Sequence, residues 1–212
     1  MSSSRLPGKS CRDILGTPLI LRVHERVKQA KRITKIVVGT SIETEDDEIA
    51  KLCNANNIIV YRGPLVDVAL RFKEVLINHP SEAFVRICAD SPLIDPEIID
   101  SVITLFKSAP CDIATNTFPR SFPKGQSVEV IDTKCFIDNY AYFSTTEKEH
   151  ITSYFYGKAE QFSIKNLTST ANYSAINHSI DTLEDLNKIT HLLEKTKQQS
   201  LKWIDYIYAD TQ

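Results

Sequence analysis

The feature that most constrains the fold is the alternation of short apolar runs with helical patterns across the first half of the chain. The apolar runs lie at residues 35–39, 58–61, 83–88 and 111–115. Runs of this length are typical of strands that are covered on both faces, and the segments between them repeat apolar residues at helical spacing. Repeated strand–helix–strand units favour a parallel sheet with helices on both sides, so the sequence predicts an α/β fold.

The same patterns set the expected boundaries. Helices are predicted at residues 18–31, from Thr44 onwards, at 65–76 and at 98–106. From Thr117 the alternation stops and a loop punctuated by proline and glycine follows at 118–126. Beyond it, strands are predicted at 127–131, 161–167 and 175–180, and helices at 133–143, 147–157 and 183–196. We expect a single domain over residues 1–212, with 117–167 as an insertion and 201–208 as a closing core segment.

Composition excludes several classes of protein. Lysine and arginine number 25 against 27 acidic residues, for a net charge of −2, which argues against nucleic acid as a partner. No apolar run approaches the roughly 20 residues of a membrane span, and the first residues lack the apolar segment of a secretory signal. Five scattered cysteines without a CxxC pair are typical of reduced thiols. We expect a cytoplasmic protein that acts without a membrane.

The first candidate site is the stretch RLPGK at residues 5–9. Two cations four residues apart flank a Pro-Gly turn just ahead of a helical pattern. Arg5 offers a bidentate fork and Lys9 a point charge, which would suit a triphosphate. A solvated basic terminus is the alternative interpretation of the same residues.

Three aspartates follow predicted strands. Asp90 comes just after the run at 83–88, at the strand end where ligands of α/β folds bind, and could hold Mg²⁺ or form a turn. Asp95 precedes Pro96 and is predicted to be a helix N-cap. Asp181 could be a second metal ligand or an N-cap, and residues 182–185 match a capping box.

Other polar residues carry weaker signals. His150 could bind an anion or transfer a proton, or it could be a surface residue of a helix. Lys124 and Arg120 make the 118–126 loop cationic, which is compatible with a carboxylated or phosphorylated substrate. The chain lacks GxSxG, GxGxxG and GxxxxGK[ST], so hydrolase, dinucleotide-binding and P-loop sites are not indicated.

Taken together, six ordered motifs resemble one family. They are SSRLPGK at 3–9, GTPL at 16–19, RICADSPLID at 86–95, FPKGQSVEV at 122–130, EHIT at 149–152 and DTLEDL at 181–186. The chain resembles the sugar-acid cytidylyltransferases of the acylneuraminate and 3-deoxy-manno-octulosonate types, in particular the branch of spore-coat polysaccharide biosynthesis protein F. The resemblance implies a three-layer fold of the nucleotide-diphospho-sugar-transferase type with a mostly parallel central sheet, usually found as a homodimer.

The resemblance also implies an activity and a set of residue roles. CMP would pass from CTP to a sugar acid, with release of pyrophosphate, for surface polysaccharide synthesis. The residues expected at the nucleotide are Ser4, Arg5, Gly8, Lys9, Asp67 and Arg71. Those expected at the sugar are Lys124, Glu129 and His150. Arg5, Lys9 and Asp90 would act in catalysis, and Asp90 and Asp181 would hold Mg²⁺.

Two other interpretations stay open at the level of sequence. A glycosyltransferase of related fold would use a nucleotide-sugar donor, but such enzymes typically carry an Asp-x-Asp motif, which Asp90-Ser91-Pro92 lacks. An inactive, truncated family member is the second, because the family usually begins with an apolar strand ahead of the RLPGK loop. Here that strand is expected to be missing.

Overall fold

The computed structural model describes residues 5–197 and 201–211. The strands in chain order are β1 (Asp13–Ile14), β2 (Thr17–Pro18), β3 (Val37–Ser41), β4 (Ile59–Gly63), β5 (Ala83–Arg86), β6 (Ile113–Thr115), β7 (Glu129–Asp132) and β8 (Ile164–Asn166). The helices are α1 (Leu19–Lys28), α2 (Asp47–Ala55), α3 (Val68–Asn78), α4 (Pro96–Lys107), α5 (Thr133–Asn139), α6 (Thr145–Glu149), α7 (Ser153–Tyr156), α8 (Leu183–Lys195) and α9 (Trp203–Thr211). Short 3-10 turns precede α2 and follow α5.

The central strands form two hydrogen-bonded groups. β3 and β4 pair in parallel, and the larger group has the order β5-β7-β6-β8. Within it β7 runs antiparallel to both neighbours, while β6 and β8 are parallel. In the larger group β5, β6 and β8 therefore share one direction, and β7 runs opposite to them. Among the described residues, β3 pairs only with β4 and β5 only with β7. The expectation of a missing first strand stays a prediction.

Helices cover both faces of the larger sheet, which makes the three layers. Successive strand residues point to opposite faces, and they divide between two cores: Ala114 and Val130 pack into one, Ile113 and Ile131 into the other. The first core is closed by apolar side chains of α1, α4, α8 and α9. The second is closed by α3, α5 and α7, with many edge-to-face aromatic contacts. The α/β fold expected from the sequence is confirmed.

Two predicted elements are wrong. The helix expected at 147–157 is interrupted, because α6 ends at Glu149 and α7 starts at Ser153. The strand expected at 175–180 is a single bridge between Lys124 and Asn177. Its pairing ends at once because the Asn177 side chain accepts hydrogen bonds from the amide and hydroxyl of Ser179, which forms a local turn.

The closing segment at 201–208 packs into the core, as expected. Tyr206 and Ile207 of α9 are buried, whereas Tyr208 is exposed on the outer side of the helix. None of the helices in residues 5–197 and 201–211 combines the length and the apolar character needed to cross a membrane.

Candidate active site

The RLPGK loop is anchored by an apolar residue and turned by a glycine. Leu6 is buried in the core that α1 and α4 share. Gly8 has a φ of +66°, in the left-handed region that favours glycine. A short 3-10 turn at Lys9–Cys11 follows, closed by the Cys11 amide donating to the Gly8 carbonyl at 3.0 Å. This conformation carries the Lys9 side chain into the molecule. Ser4 lies outside the described residues.

The Lys9 ammonium group joins the two aspartates predicted to bind a metal. Its Nζ lies 2.9 Å from Oδ1 of Asp181 and 3.4 Å from Oδ2 of Asp90, and it donates to the Ile180 carbonyl at 3.1 Å. Arg5 reaches the other oxygen of Asp181 at 3.5 Å. The structure thus brings together four residues from three distant parts of the chain. We call Lys9, Asp90 and Asp181 the lysine-bridged carboxylate pair.

Local structure explains why Asp181 faces Lys9. The N-cap of α8 is Thr182, which forms a capping box with Asp185, so the predicted capping box is confirmed. The alternative of Asp181 as the N-cap is wrong, because Asp181 precedes the cap and its carboxylate is left for Lys9. The Ile180 amide donates to the Asp90 carbonyl at 2.9 Å, which holds the two aspartate segments side by side. Asp95 caps α4 through the Glu97 amide, as predicted.

A buried glutamine and a glycine hold these segments in place, and sequence patterns did not single out their role. Gln126 accepts from the Asp95 amide at 2.8 Å and donates to the Leu93 carbonyl at 2.7 Å. Gly125 has a φ of +89°, and a Cβ there would lie 2.7 Å from main-chain atoms of His178. Both contacts join residues that are far apart in sequence. The only sequence signal that includes Gly125 and Gln126 is the motif at 122–130, and it does not name their partners.

The two aspartates fit a divalent cation. Mg²⁺ prefers oxygen ligands and usually takes one or two carboxylates beside the phosphates of its substrate. Asp90 and Asp181 both approach one point, the Lys9 Nζ, and both side chains are partly exposed. Among the described residues there is no cluster of three or more His, Cys, Asp or Glu arranged to hold a metal. A cation here would draw its other ligands from substrate or water.

Asp67 and Arg71, two further residues expected at the nucleotide, differ in whether their polar atoms already have partners in the protein. Asp67 caps α3 through the Leu70 amide, and its other oxygen accepts from Tyr140 at 2.9 Å and pairs with Lys148 at 3.3 Å. Arg71 is buried, and its NH1 has no hydrogen-bond partner. An unpartnered buried donor is costly, so Arg71 is the better candidate of the two for a ligand contact.

The three residues expected at the sugar lie in different settings. Lys124 is exposed on the loop that pairs with residues 176–178. His150 is exposed in the break between α6 and α7. Glu129 is buried at the start of β7, where its Oε2 accepts from Arg86 at 2.5 Å and its Oε1 from the Tyr156 hydroxyl at 2.7 Å. Within the part of the chain that the structure describes, no side-chain contact joins the three, and their roles stay predictions.

Arg86, Glu129 and Tyr156 form what we call the arginine–tyrosine network. Arg86 faces Glu129 in the register of β5 and β7. Burial disfavours the charge on Arg86, but Cys88 and Glu129 outweigh it, and the pKa of Arg86 lies above its ordinary value. Burial and the Glu129 carboxylate raise the pKa of the Tyr156 hydroxyl, which therefore stays protonated and donates a hydrogen bond to Glu129. Sequence reasoning missed Arg86 and Tyr156, because pairing across strands depends on register.

The fold and the site define an α/β protein in which two cations and two carboxylates meet beyond the carboxyl end of β5. The profile of the family described as Cytidylyltransferase matches residues 1–209. The chain therefore belongs to the cytidylyltransferase family.

Individual relatives agree with this assignment. The spore coat polysaccharide biosynthesis protein SpsF of Bacillus subtilis is 27% identical over 207 residues, which cover 94% of this chain and 85% of that protein. The 3-deoxy-manno-octulosonate cytidylyltransferase of Zea mays is 32% identical over 145 residues, 66% of this chain and 47% of that protein. A solved cytidylyltransferase from Leptospira borgpetersenii serovar Hardjo-bovis has a TM-score of 0.92 at 26% identity, covering 98% of this chain and 89% of that one.

Proposed function

We propose that this protein transfers CMP from CTP to a sugar acid and releases pyrophosphate, as a step of surface polysaccharide synthesis. The observation that carries the proposal is the lysine-bridged carboxylate pair beside the RLPGK loop. A free triphosphate needs several cations, and Arg5 and Lys9 supply two at the point where Asp90 and Asp181 meet. The relatives named as a 3-deoxy-manno-octulosonate cytidylyltransferase and as a spore coat polysaccharide biosynthesis protein support the same substrates.

The chemistry requires positioning and charge neutralisation more than a covalent group from the protein. A sugar hydroxyl attacks the α-phosphorus of CTP and gives up its proton to solvent, the bond from that phosphorus to the bridging oxygen breaks, and pyrophosphate leaves. Lys9 and Arg5 stabilise the negative charge that grows on the leaving group. Asp90 and Asp181 would hold Mg²⁺, which supplies further charge neutralisation and lowers the pKa of a coordinated hydroxyl.

The remaining residues are proposed to shape the two substrate sites. Gly8 holds the loop in its left-handed turn, with Ser4 preceding it. The unpartnered NH1 of Arg71 would donate a hydrogen bond to the nucleotide, and Asp67 would fix the start of α3. Lys124 and His150 would contact the sugar, and both are exposed and available.

Thermal unfolding tests the nucleotide assignment directly. The chain is heated with CTP, UTP, ATP, GTP or a nucleotide-sugar, each with and without Mg²⁺. A ligand at 100 times its Kd adds about 2.7 kcal/mol to stability, a shift of roughly 5–10 °C for a chain of this size. We expect a Mg²⁺-dependent shift with CTP and pyrophosphate release once a sugar acid is added. A shift with a nucleotide-sugar alone would favour a glycosyltransferase and contradict the proposal.

We further propose a homodimer located in the cytoplasm. Val66 and Tyr142 are apolar side chains that remain about seven-tenths exposed, as parts of a contact surface do. All five cysteines are free, which fits a reducing compartment. Sedimentation equilibrium should give the mass of two chains, and Tyr142→Glu should lower it to that of one. A monomer at all concentrations would contradict the dimer.

A further inference from the structure

The arginine–tyrosine network lies next to a third charged residue, Arg120. The network is internally satisfied, since both oxygens of Glu129 are engaged, one by Arg86 and one by Tyr156. The Tyr156 hydroxyl also lies within 3.2–3.3 Å of the Thr115 and Thr117 hydroxyls. Glu129 therefore neutralises Arg86, and each of its two oxygens already accepts a hydrogen bond.

Arg120 is held by two neutral groups. Its guanidinium donates to the Ser127 hydroxyl at 3.0 Å and to the Pro123 carbonyl at 3.4 Å. Within the described residues, no carboxylate lies at ion-pair distance from it. The side chain is half-buried, and burial lowers the pKa of Arg120 while Glu129 partly opposes this effect. Arg86 is thus paired with a carboxylate and Arg120 is not, which leaves one positive charge uncompensated.

The loop that carries Arg120 packs against the segment that leads to Asp181. Lys124 forms a bridge with Asn177, and Gly125 lies against the His178 main chain. Arg120 itself donates hydrogen bonds within this loop, to Pro123 and Ser127. The uncompensated charge therefore lies on the loop that borders the Asp181 segment, on a residue separate from the lysine-bridged carboxylate pair.

We propose that Arg120 binds the carboxylate of the sugar acid, an inference that rests on the proposed function. A planar guanidinium matches a carboxylate through two parallel hydrogen bonds, which a lysine cannot reproduce. The triphosphate is served by Arg5 and Lys9, so the second anionic group of the reaction needs its own cation. Arg86 and Tyr156 act as positioning residues, because they engage the two oxygens of Glu129 and so hold its carboxylate away from Arg120.

The test compares acids with their uncharged analogues. Pyrophosphate release is measured with CTP, Mg²⁺ and either 3-deoxy-manno-octulosonate or N-acetylneuraminate, and again with the carboxamide of each. The wild-type chain should prefer the acid. In Arg120→Gln, kcat/KM for the acid should fall about 10- to 100-fold, the range of a lost charged hydrogen bond, and the preference for acid over amide should disappear. Arg120→Lys should retain part of that preference.

Two controls separate the possible failures. The CTP-induced thermal shift of Arg120→Gln should equal that of the wild type, which shows a folded chain and an intact nucleotide site. Arg62→Gln removes another half-buried guanidinium that donates to main-chain carbonyls, and should leave the preference unchanged. An Arg120→Gln variant that still prefers the acid, that loses the CTP shift, or that behaves like Arg62→Gln would overturn the inference alone. A wild-type chain that uses neither acid would overturn the proposed substrate and the inference together.

Discussion

The lysine-bridged carboxylate pair and the arginine–tyrosine network are neighbouring charged groups that are built differently. In the first, loops from three parts of the chain meet, and the Asp90 and Asp181 side chains remain 24% and 35% exposed. In the second, partners face each other across two hydrogen-bonded strands, and the Glu129 side chain is only 5% exposed. The partly exposed group can exchange its ionic contacts for those of a substrate, whereas the buried group cannot do so without a large desolvation cost.

This difference predicts that the two groups respond to mutation in different ways. Changes in the lysine-bridged carboxylate pair should reduce turnover and leave the free energy of unfolding nearly unchanged. Changes in the arginine–tyrosine network should lower the free energy of unfolding first.

The largest expected effect is on stability, from Glu129→Gln. Removing the buried carboxylate leaves the Arg86 charge without its partner, and because the Arg86 side chain is 24% exposed the cost should be about 3 kcal/mol, the lower end of the range for a broken buried pair. Chemical denaturation measures the change. Glu97→Gln is the matched control, since Glu97 pairs with Lys202 on the surface and should change stability by less than about 1 kcal/mol. Equal effects of the two variants would mean that the Arg86–Glu129 pair contributes no more to stability than an exposed ion pair.

A comparable effect, on turnover alone, is expected from Asp90→Asn. Asp90 is proposed to hold the metal that neutralises the negative charge of the transition state, so its loss should reduce kcat by about 10²- to 10³-fold, measured as pyrophosphate release over a Mg²⁺ titration. Asp100→Asn is the control, because Asp100 also accepts two hydrogen bonds, from the Lys31 and Arg32 amides, but outside the site. Full activity of Asp90→Asn would remove Asp90 from the proposed metal site.

An intermediate effect is expected at Gly125, where the 118–126 loop contacts the segment that leads to Asp181. Gly125→Ala should cost about 2 kcal/mol, from the positive φ and from the clash with the His178 main chain. Gly8→Ala shares the positive φ but has open space around its Cβ, so it should cost about 1 kcal/mol. Thermal unfolding of both variants isolates the clash. Similar melting temperatures would mean that residues 176–181 move aside without cost.

The smallest effect is expected from Tyr156→Phe. Glu129 loses one hydrogen bond but keeps Arg86, so the cost should be about 1–2 kcal/mol. Tyr142→Phe, at an exposed position, serves as the reference and should be close to neutral. If Tyr156→Phe also proves neutral in denaturation, the hydroxyl does not contribute to holding Glu129.

Features that depend on neighbours in sequence could be predicted. The α4 start at Asp95-Pro96 and the capping box of α8 were both predicted correctly, because capping depends on residues within one turn. The apolar runs of β5 and β6 were also recognised, because a run of consecutive apolar residues is itself a local pattern. The break at 150–152 was not, since α6 and α7 are each too short for their periodicity to show an interruption.

The candidate site itself combines both kinds of information. Its residue types and their order along the chain are readable in the sequence, and so is the resemblance they carry. Only the tertiary structure decided that Lys9 lies between Asp90 and Asp181, which are 81 and 172 residues away from it. The insertion of β7 between β5 and β6, which pairs Arg86 with Glu129, was decided in the same way. Strand order and register arise from burying two apolar faces of one sheet at once, and no local pattern contains that constraint.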